Sequence, residues 1–489
     1  MRARSVRVLA LAVGAGVVAL AAGPCLAAGD QSAKVPITTT SAEARKAYLD
    51  GRDAVEKLRA TDGYAAFTRA VTLDPKFALG YYGQATSAPT AGDFFAALRK
   101  AAALADGASP GEAHMIRALE AGTNGRPKQA LDHLRALVSS FPDDERVHNL
   151  LGGFYFGRQE WQRAIAEYER ATAINPAFSQ PYNQLGYALR FLERYGEAEK
   201  AFQKYIELIP NEPNPHDSYA ELLMKTGRFD DSIAQYRKAL AIDANFVPSY
   251  VGIANDEVFA GRPEQAHQTL AKLESIARND GERRVAHFWG AVAYLHQGDG
   301  KSAVGEVERE YEIASKLNDR VAMSGDLNFI ATILLESGSP DAALAKYDEG
   351  LKTIDLADAS AEVKEAAHRN NLANRARVAL ARKDVAGAAT LAQQYAMQVE
   401  IHKVPFERWQ SHEIAGLVAL AKGDNAGAVR ELQQANQQDP RAQFELGEAY
   451  AADGNAAAGR AAFERAASFN GLAVNFAYVR AKAKAKLGA

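Results

Sequence analysis

An all-α solenoid of about twelve helix pairs with a carboxy-terminal capping helix is the fold class that the sequence predicts. A pattern of small and aromatic residues recurs at a spacing of 34 residues, the length of one helix–turn–helix unit. The 489 residues are also many for one globular core, whereas the core of a solenoid grows with every repeat that stacks on its neighbour. Alanine is abundant and β-branched residues are sparse, which favours helices over strands.

Residues 1–28 predict a secretory signal peptide. A basic stretch precedes an uncharged run from Val8 to Ala22, which is short for a membrane-spanning helix. Small residues then allow cleavage after Ala27 or Ala28. We therefore expect an exported, periplasmic protein with no stable membrane insertion after cleavage. An uncleaved membrane anchor and a lipid attached to the cysteine of this segment are the alternatives.

Cysteine content and net charge exclude several classes of function. Cys25 is the only cysteine, so the cleaved chain would contain no disulfide and no thiolate metal site. The formal net charge is -3, and the charged residues form no long run of one sign. A nucleic-acid partner is not expected, because its binding would need a basic face. Residues 29–43 are polar and predict a flexible lead-in to the first repeat.

A regular array is predicted for residues 44–280. Its clearest copies lie between Glu145 and Glu212, where every matched pair of residues is 34 positions apart. A small residue recurs near the start of each second helix, because only a small side chain lets two antiparallel helices approach closely there. These small residues are Gly63, Ala97, Ala130, Ala164, Ala198, Ser232 and Ala266. The spacings between successive members are 34, 33, 34, 34, 34 and 34 residues.

Longer and less regular helix pairs of the same kind are predicted for residues 281–471. After Ala266 the steps between the corresponding small residues lengthen to 37, 40, 45 and 40 and then shorten to 31. Residues 472–489 predict a final helix with Val474 and Tyr478 on one side and basic residues, including Arg480, elsewhere. Such a helix would form a polar cap over the last apolar face, which a soluble solenoid requires.

The pattern resembles that of the tetratricopeptide-repeat family. In the clearest copy, Leu151-Gly152 is followed by Tyr155, Ala164, Tyr168, Ala171 and Pro176. In the next copy, Leu185-Gly186 is followed by Leu189, Ala198, Phe202, Tyr205 and Pro210. The resemblance implies a right-handed superhelix whose concave groove is lined by the first helix of each repeat. Family members commonly bind extended peptides or partner proteins in that groove, so we expect the same of this chain.

Candidate partner-binding residues are the first-helix positions that the repeat pattern does not use, between Glu145 and Asp280. Asn149 and Asn183 occupy the same position in successive repeats, and a side-chain amide can both donate to and accept from a peptide backbone. Exposed aromatic rings would add an apolar lining. The predicted set is Arg146, Asn149, Phe156, Asn183, Tyr187, Arg190, Phe191, Asn255 and Phe259. Packing between neighbouring first helices is the alternative for the rings, and solvated or helix-end amides are the alternative for the asparagines.

The sequence predicts a non-enzymatic scaffold that binds a partner protein or extended peptide in the bacterial cell envelope. It contains no His-Glu-x-x-His helix, no glycine-rich phosphate loop and no Gly-x-Ser-x-Gly elbow. We therefore expect no catalytic residue, cofactor or metal. A module that binds carbohydrate or cell-wall polymer, with Phe156, Tyr187 and Phe191 as stacking platforms, is the alternative function.

Overall fold

The computed structural model describes residues 34–402 and 404–488, which form 25 α-helices, a short 3-10 turn and no strand. The predicted signal peptide lies outside these described residues. The first helices in the chain are α1 (Ala42–Glu56), α2 (Ala60–Leu73), α3 (Ala78–Thr86), α4 (Ala91–Leu104), α5 (Pro110–Thr123), α6 (Pro127–Ser140), α7 (Glu145–Gly157), α8 (Trp161–Ile174), α9 (Ser179–Phe191), α10 (Tyr195–Leu208), α11 (Pro213–Lys225), α12 (Phe229–Ile242), α13 (Val247–Phe259) and α14 (Pro263–Ile276). The remaining helices are α15 (Asp280–His296), α16 (Gly300–Lys316), α17 (Arg320–Glu336), α18 (Pro340–Asp355), α19 (Ala361–Ala381), α20 (Val385–His402), α21 (Pro405–Ala421), α22 (Asn425–Leu432), α23 (Pro440–Ala452), α24 (Ala456–Ala467) and α25 (Asn475–Leu487).

Consecutive helices pack together in twelve pairs, from α1 with α2 to α23 with α24, and each pair stacks on the next. One further helix, α25, follows the last pair. The predicted all-α solenoid of about twelve pairs and one final helix is therefore confirmed. The small residues predicted near the start of each second helix are buried, as Ala164 in α8 and Ala198 in α10 illustrate.

Close approach between the two helices of a pair explains the glycines of the repeat pattern. A Cβ atom added to Gly152 in α7 would lie 2.6 Å from the ring of Tyr168 in α8, which is fully buried. Gly186 has the same relation to Phe202 one repeat later, again at 2.6 Å. The aromatic ring of the second helix therefore fills the space that a side chain on the first helix would need.

Replacing Gly152 by alanine should destabilise the fold, whereas the same change at its neighbour Gly153 should not. A Cβ on Gly153 would meet no atom within 4 Å. The Gly153→Ala variant should therefore be more stable by about 1 kcal/mol, because alanine has the higher helix propensity. The Gly152→Ala variant must displace a buried ring, and overpacking of this kind costs about 1–3 kcal/mol. Urea unfolding of both variants measures the difference. Equal stability of the two proteins would contradict the close approach.

Five first helices are tied to their second helices by a histidine. In each case Nδ1 of the histidine is hydrogen-bonded to the side chain 19 residues later, at 2.7–3.0 Å. The pairs are His114 with His133, His148 with Glu167, His216 with Gln235, His287 with Glu306, and His412 with Glu431. Six of the ten histidines thus have a structural role inside a helix pair, since His133 is itself the partner of His114.

The longer helices run from the start of the second part of the chain to α21. Helices α15–α21 span 16–21 residues each, against 13 or 14 residues for α5–α14. Helices α22, α23 and α24 span only 8, 13 and 12 residues. The longer units expected over the whole of 281–471 therefore end at α21. No described helix combines the length and apolar character that a membrane crossing needs.

The superhelix brings its carboxy-terminal end against its middle. Helix α25 packs on α23 and α24 and also on α15. The ring of Phe476 in α25 is 0% exposed, and its centroid lies 4.7 Å from that of Phe259 and 5.6 Å from that of His296. Residues of α25 share one apolar core with residues of α13–α17. The array is therefore closed on itself by α25.

Helix α25 covers the last pair as predicted, but it buries one of the basic residues that were expected on its polar side. The Arg480 guanidinium donates to Asn470 Oδ1 at 2.8 Å and to the backbone oxygen of Phe469 at 3.3 Å, and it lies 4.7 Å from the Phe259 ring centroid. Burial lowers the pKa of Arg480 to about 10. The surface that buries Arg480 comes partly from α13, far away in the sequence, so the residue pattern of α25 alone could not indicate it.

Candidate functional site

A cavity of about 400 Å³, here called the amino-terminal cavity, lies on the side formed by α1, α3, α5, α7 and α9. Apolar side chains make up much of its lining, including Tyr48, Tyr82 and Met115. Arg146 and Asn149 of the predicted partner-binding set also line it. The first helices of the first five pairs thus form a concave apolar surface with a few polar groups, which is the usual composition of a binding site.

Residues 34–41 form one wall of this cavity, and their structure corrects the predicted flexible lead-in. The Val35 N–H donates to Asp144 Oδ2 at 2.8 Å, and the Thr38 N–H donates to Glu112 Oε1 at 2.7 Å. Both carboxylates are buried and therefore need donors. The segment has no helix and runs across the starts of α7 and α5. The array therefore already holds one extended segment of its own chain through backbone N–H groups.

Arg146 belongs to the wall of the cavity, but its charge is largely used inside the protein. Its guanidinium donates to both carboxylate oxygens of Glu56 at 2.6 and 3.0 Å and to Glu145 at 2.6 Å. It also lies 5.1 Å from the ring centroid of Phe178. Because Glu56 belongs to α1 and Arg146 to α7, this contact joins the first pair to the fourth. Arg146 therefore shapes the cavity more than it offers a free positive charge.

Asn149 and Asn183 each carry a buried side-chain oxygen that accepts no hydrogen bond from the described residues. The Asn149 Nδ2 donates to Gln180 Oε1 at 3.0 Å, which leaves Oδ1 as the unpaired atom. An unpaired buried acceptor costs about 1–3 kcal/mol. Of the two asparagines, only Asn149 lines the amino-terminal cavity. A donor that reached Asn149 Oδ1 would remove that cost.

The predicted aromatic lining is packed into the wall of the array. The rings of Trp161 and Phe191 stack at 4.4 Å, and Phe156 contacts them edge-on at 5.1 and 6.0 Å. Tyr187 donates to Ser218 Oγ at 3.2 Å, and the Arg190 guanidinium lies 4.8 Å from its ring centroid. Burial raises the pKa of the Tyr187 hydroxyl. Phe156 and Tyr187 therefore mainly join neighbouring helices.

Arg190 and Phe191 lie at a second cavity, the interarm cleft, of about 680 Å³. One wall consists of the ends of α9 and α11 and the start of α10, and the other consists of residues 436–443 and 465–472. Arg190 NH1 donates to Glu221 Oε2 at 3.0 Å within the first wall. The cleft exists because the closed superhelix places these two distant parts of the chain face to face.

Asn255 and Phe259 are corrections to the predicted partner-binding set. Asn255 is 3% exposed, and its Nδ2 donates to the Val251 backbone oxygen of its own helix at 2.9 Å. The Phe259 ring is covered by Phe476 and Arg480 of α25. The Phe259 ring is therefore covered by α25, and the Asn255 amide is bonded within its own helix.

Two buried carboxyl groups lie behind the concave surface of α11 and α13. Asp217 Oδ1 accepts a hydrogen bond from Ser249 Oγ at 2.7 Å, and burial together with the neighbouring Glu221 raises its pKa to about 7. Asp256 is 0% exposed, and both of its oxygens lack a donor among the described residues. Burial raises the pKa of Asp256 to about 8. Both groups are therefore protonated more readily in the folded protein than in the unfolded chain.

Sequence reasoning missed the cavity residues of the first three pairs and the whole second wall of the interarm cleft. Tyr82 and Met115 occupy first helices, so extending the same positional argument to α3 and α5 would have found them. No comparable signal exists for Gln438 or Arg465, because only the closure of the superhelix brings them to α9 and α11. In the described part of the chain, no group of three His, Cys, Asp or Glu side chains is placed to hold a metal ion.

Comparison with known families matches two sequence models of the tetratricopeptide repeat. One matches residues 117–177 and 415–473, and the other matches residues 179–212 and 217–246. Among curated proteins, the type IV pilus assembly protein PilF of Pseudomonas aeruginosa is 27% identical over 119 residues, which are 24% of this chain and 47% of that protein. The UDP-N-acetylglucosamine–peptide N-acetylglucosaminyltransferase of Giardia intestinalis is 26% identical over 126 residues, 26% of this chain and 8% of that enzyme. These matches span less than half the length of either relative.

Among solved structures, a tetratricopeptide repeat protein from Parabacteroides merdae covers 56% of this chain and 94% of its own, with 15% identity and a TM-score of 0.36. YrrB, described as a protein of this repeat type with an unusual peptide-binding site, covers 37% of this chain and 91% of its own, with 16% identity and a TM-score of 0.28.

Proposed function

We infer that this chain, which belongs to the tetratricopeptide-repeat family, is a non-enzymatic scaffold that binds an extended segment of a partner protein. The amino-terminal cavity is the proposed binding surface. The observation that carries the proposal is the pairing of an open apolar cavity with an extended segment, residues 34–41, held beside it through backbone N–H groups. A surface that holds one extended segment in this way has the geometry to hold a second.

Asn149 is the residue that we assign to the partner's backbone. Its unpaired Oδ1 is buried in the free protein, so the side chain would have to turn toward the cavity to accept from a peptide N–H, and this bond would not depend on the partner's side chains. Arg146 would position the wall of the cavity, while Phe156, Asn183 and Tyr187 would support the helices behind it. Apolar side chains of the partner would enter between Tyr82 and Met115, which supplies the hydrophobic part of the affinity.

We place this scaffold in the bacterial cell envelope. The support is the signal-peptide pattern of residues 1–28 together with the partial match to a type IV pilus assembly protein. On this proposal, the scaffold would help assemble a complex on the outer side of the inner membrane. Cleavage after Ala27 or Ala28 would leave the described residues intact.

Site-specific photo-crosslinking in the host cell tests the proposed surface. A photoreactive amino acid at Leu58, which is 44% exposed and lines the amino-terminal cavity, should crosslink a partner protein. The same amino acid at Leu356 is the matched control, because this leucine is 69% exposed and lies between α18 and α19. A product that forms at Leu58 but not at Leu356 supports the proposal. Equal products at both positions, or none at Leu58, would refute it.

A further inference from the structure

We propose that the interarm cleft is a second binding site, which takes a short acidic oligosaccharide whose sugar rings carry carboxylate groups. The cleft is separate from the amino-terminal cavity and shares no lining residue with it. Its volume of about 680 Å³ falls in the range of about 300–1,000 Å³ that is usual for small-ligand sites. Because its two walls belong to distant parts of the chain, a ligand in the cleft would contact both.

The basic side chains of the cleft are placed to bind an anionic group. Lys225 on one wall is half-buried and forms no ion pair with any described residue; its Nζ lies 4.9 Å from the ring centroid of Phe469 on the other wall. Arg465 on the second wall donates through Nε to the amide oxygen of Gln443 at 2.7 Å and likewise has no carboxylate partner in the described chain. Two unpaired cations on opposite walls would both gain from a carboxylate placed between them.

The polar lining suits hydroxyl groups. Asn436, Gln438 and Asn470 each line the cleft with a side-chain NH₂ group that makes no hydrogen bond to another described residue. An amide presents donors and an acceptor side by side, so that it can pair with two adjacent hydroxyls of a sugar ring. The rings of Phe191 and Phe469 supply apolar surfaces on opposite walls, against which the C–H faces of a sugar can pack. Phe191 is the one predicted stacking platform that reaches the cleft.

The acidic residues of the cleft favour a saccharide over an acidic peptide. Glu193 and Glu221 line the same space as the two unpaired cations. These carboxylates repel the acidic groups of either ligand, but an acidic peptide has no hydroxyl groups to offset that repulsion. Sugar hydroxyls would donate to them, while the carboxylate of the sugar lies between Lys225 and Arg465.

Isothermal titration calorimetry of the full mature chain with three probes tests this site. The probes are tetragalacturonate, its fully methyl-esterified form, and tetraglutamate. We expect tetragalacturonate to bind and the ester to bind at least about tenfold more weakly, because the ester has no charge to place between the cations. Lys225→Met keeps an unbranched side chain of similar length but removes the charge, and it should also weaken the binding of tetragalacturonate about tenfold or more. Lys352→Met, an exposed lysine of α18 without an ion pair, should leave binding unchanged.

Arg465 is an exposed residue of the opposite wall, so Arg465→Gln should leave the fold intact. If this variant also loses binding, the loss in Lys225→Met does not come from misfolding. The proposal is overturned if tetragalacturonate does not bind, if both charge variants bind it normally, or if tetraglutamate binds as tightly. The last result would assign the cleft to a peptide. The crosslink at Leu58 does not involve the cleft. A failure of the saccharide to bind therefore does not argue against the proposed scaffold function, and a failure of the crosslink does not argue against the saccharide site.

Discussion

Phe476→Ala should lower the free energy of unfolding by about 3–5 kcal/mol, the usual cost of removing a buried phenylalanine ring. The ring is fully buried between Phe259 and His296, so that its loss leaves a cavity where the end of the array meets its middle. Chemical unfolding followed by circular dichroism measures the change. Small-angle X-ray scattering should also give a larger radius of gyration for the variant if α25 detaches from α15.

Phe406→Ala is the control for this experiment. Phe406 is 61% exposed at the start of α21, and surface substitutions usually change stability by no more than about 0.5 kcal/mol. If the two alanine variants lose similar amounts of stability, α25 does not hold the array closed. A large loss at Phe476 alone would show that the closure is part of the stable fold.

The second large effect concerns pH. The pKa of Asp256 is raised to about 8 by burial, so the folded protein binds this proton more tightly than the unfolded chain. A raised pKa of this kind contributes stability at low pH, and the contribution is lost as the pH rises from the ordinary carboxyl range through about 8. One such group lowers the free energy of unfolding by up to about 1.4 kcal/mol per pH unit in that window.

Asp256→Asn should therefore reduce the decrease in the free energy of unfolding between pH 5.5 and pH 8.5, by about 1.4 kcal/mol per pH unit at most. The asparagine keeps the shape of the protonated acid but cannot ionise. The stability of the variant relative to the parent protein should therefore increase as the pH rises. Urea unfolding at several pH values measures the two slopes. Asp358→Asn, an exposed aspartate between α18 and α19, should leave the slope unchanged. Parallel curves for Asp256→Asn and the parent would mean that Asp256 is already ionised in the folded protein.

The repeat architecture could be predicted from the sequence because its determinants are local. Gly152 and Tyr168 lie in adjacent helices, and so do Gly186 and Phe202, and each contact recurs at the same spacing. Such contacts fix the register of the helices and thereby which positions face the concave side. That is why the sequence could assign Asn149 to the concave side, where it lines the amino-terminal cavity.

The environment of those concave positions could not be predicted, because it depends on long-range closure. Phe259 was predicted to line the groove, yet its ring is covered by Phe476 of α25. Arg190 and Phe191 face residues 436–472 for the same reason. The twist of each pair accumulates over many repeats, and a repeat pattern does not specify that sum. Residues 34–41 were also missed, since their order depends on the buried acceptors Asp144 and Glu112.

The closure by α25 also fixes the number of repeats that this protein can contain. In an open array a unit can be duplicated or lost with modest effect, because each unit interacts mainly with its neighbours. Here the units between α13 and α25 must return Phe476 to the ring of Phe259. One added helix pair would displace α25 by on the order of 10 Å, the distance between packed helices. Lineages of this protein should therefore vary in loop length and surface residues while conserving the count of helix pairs between these two rings.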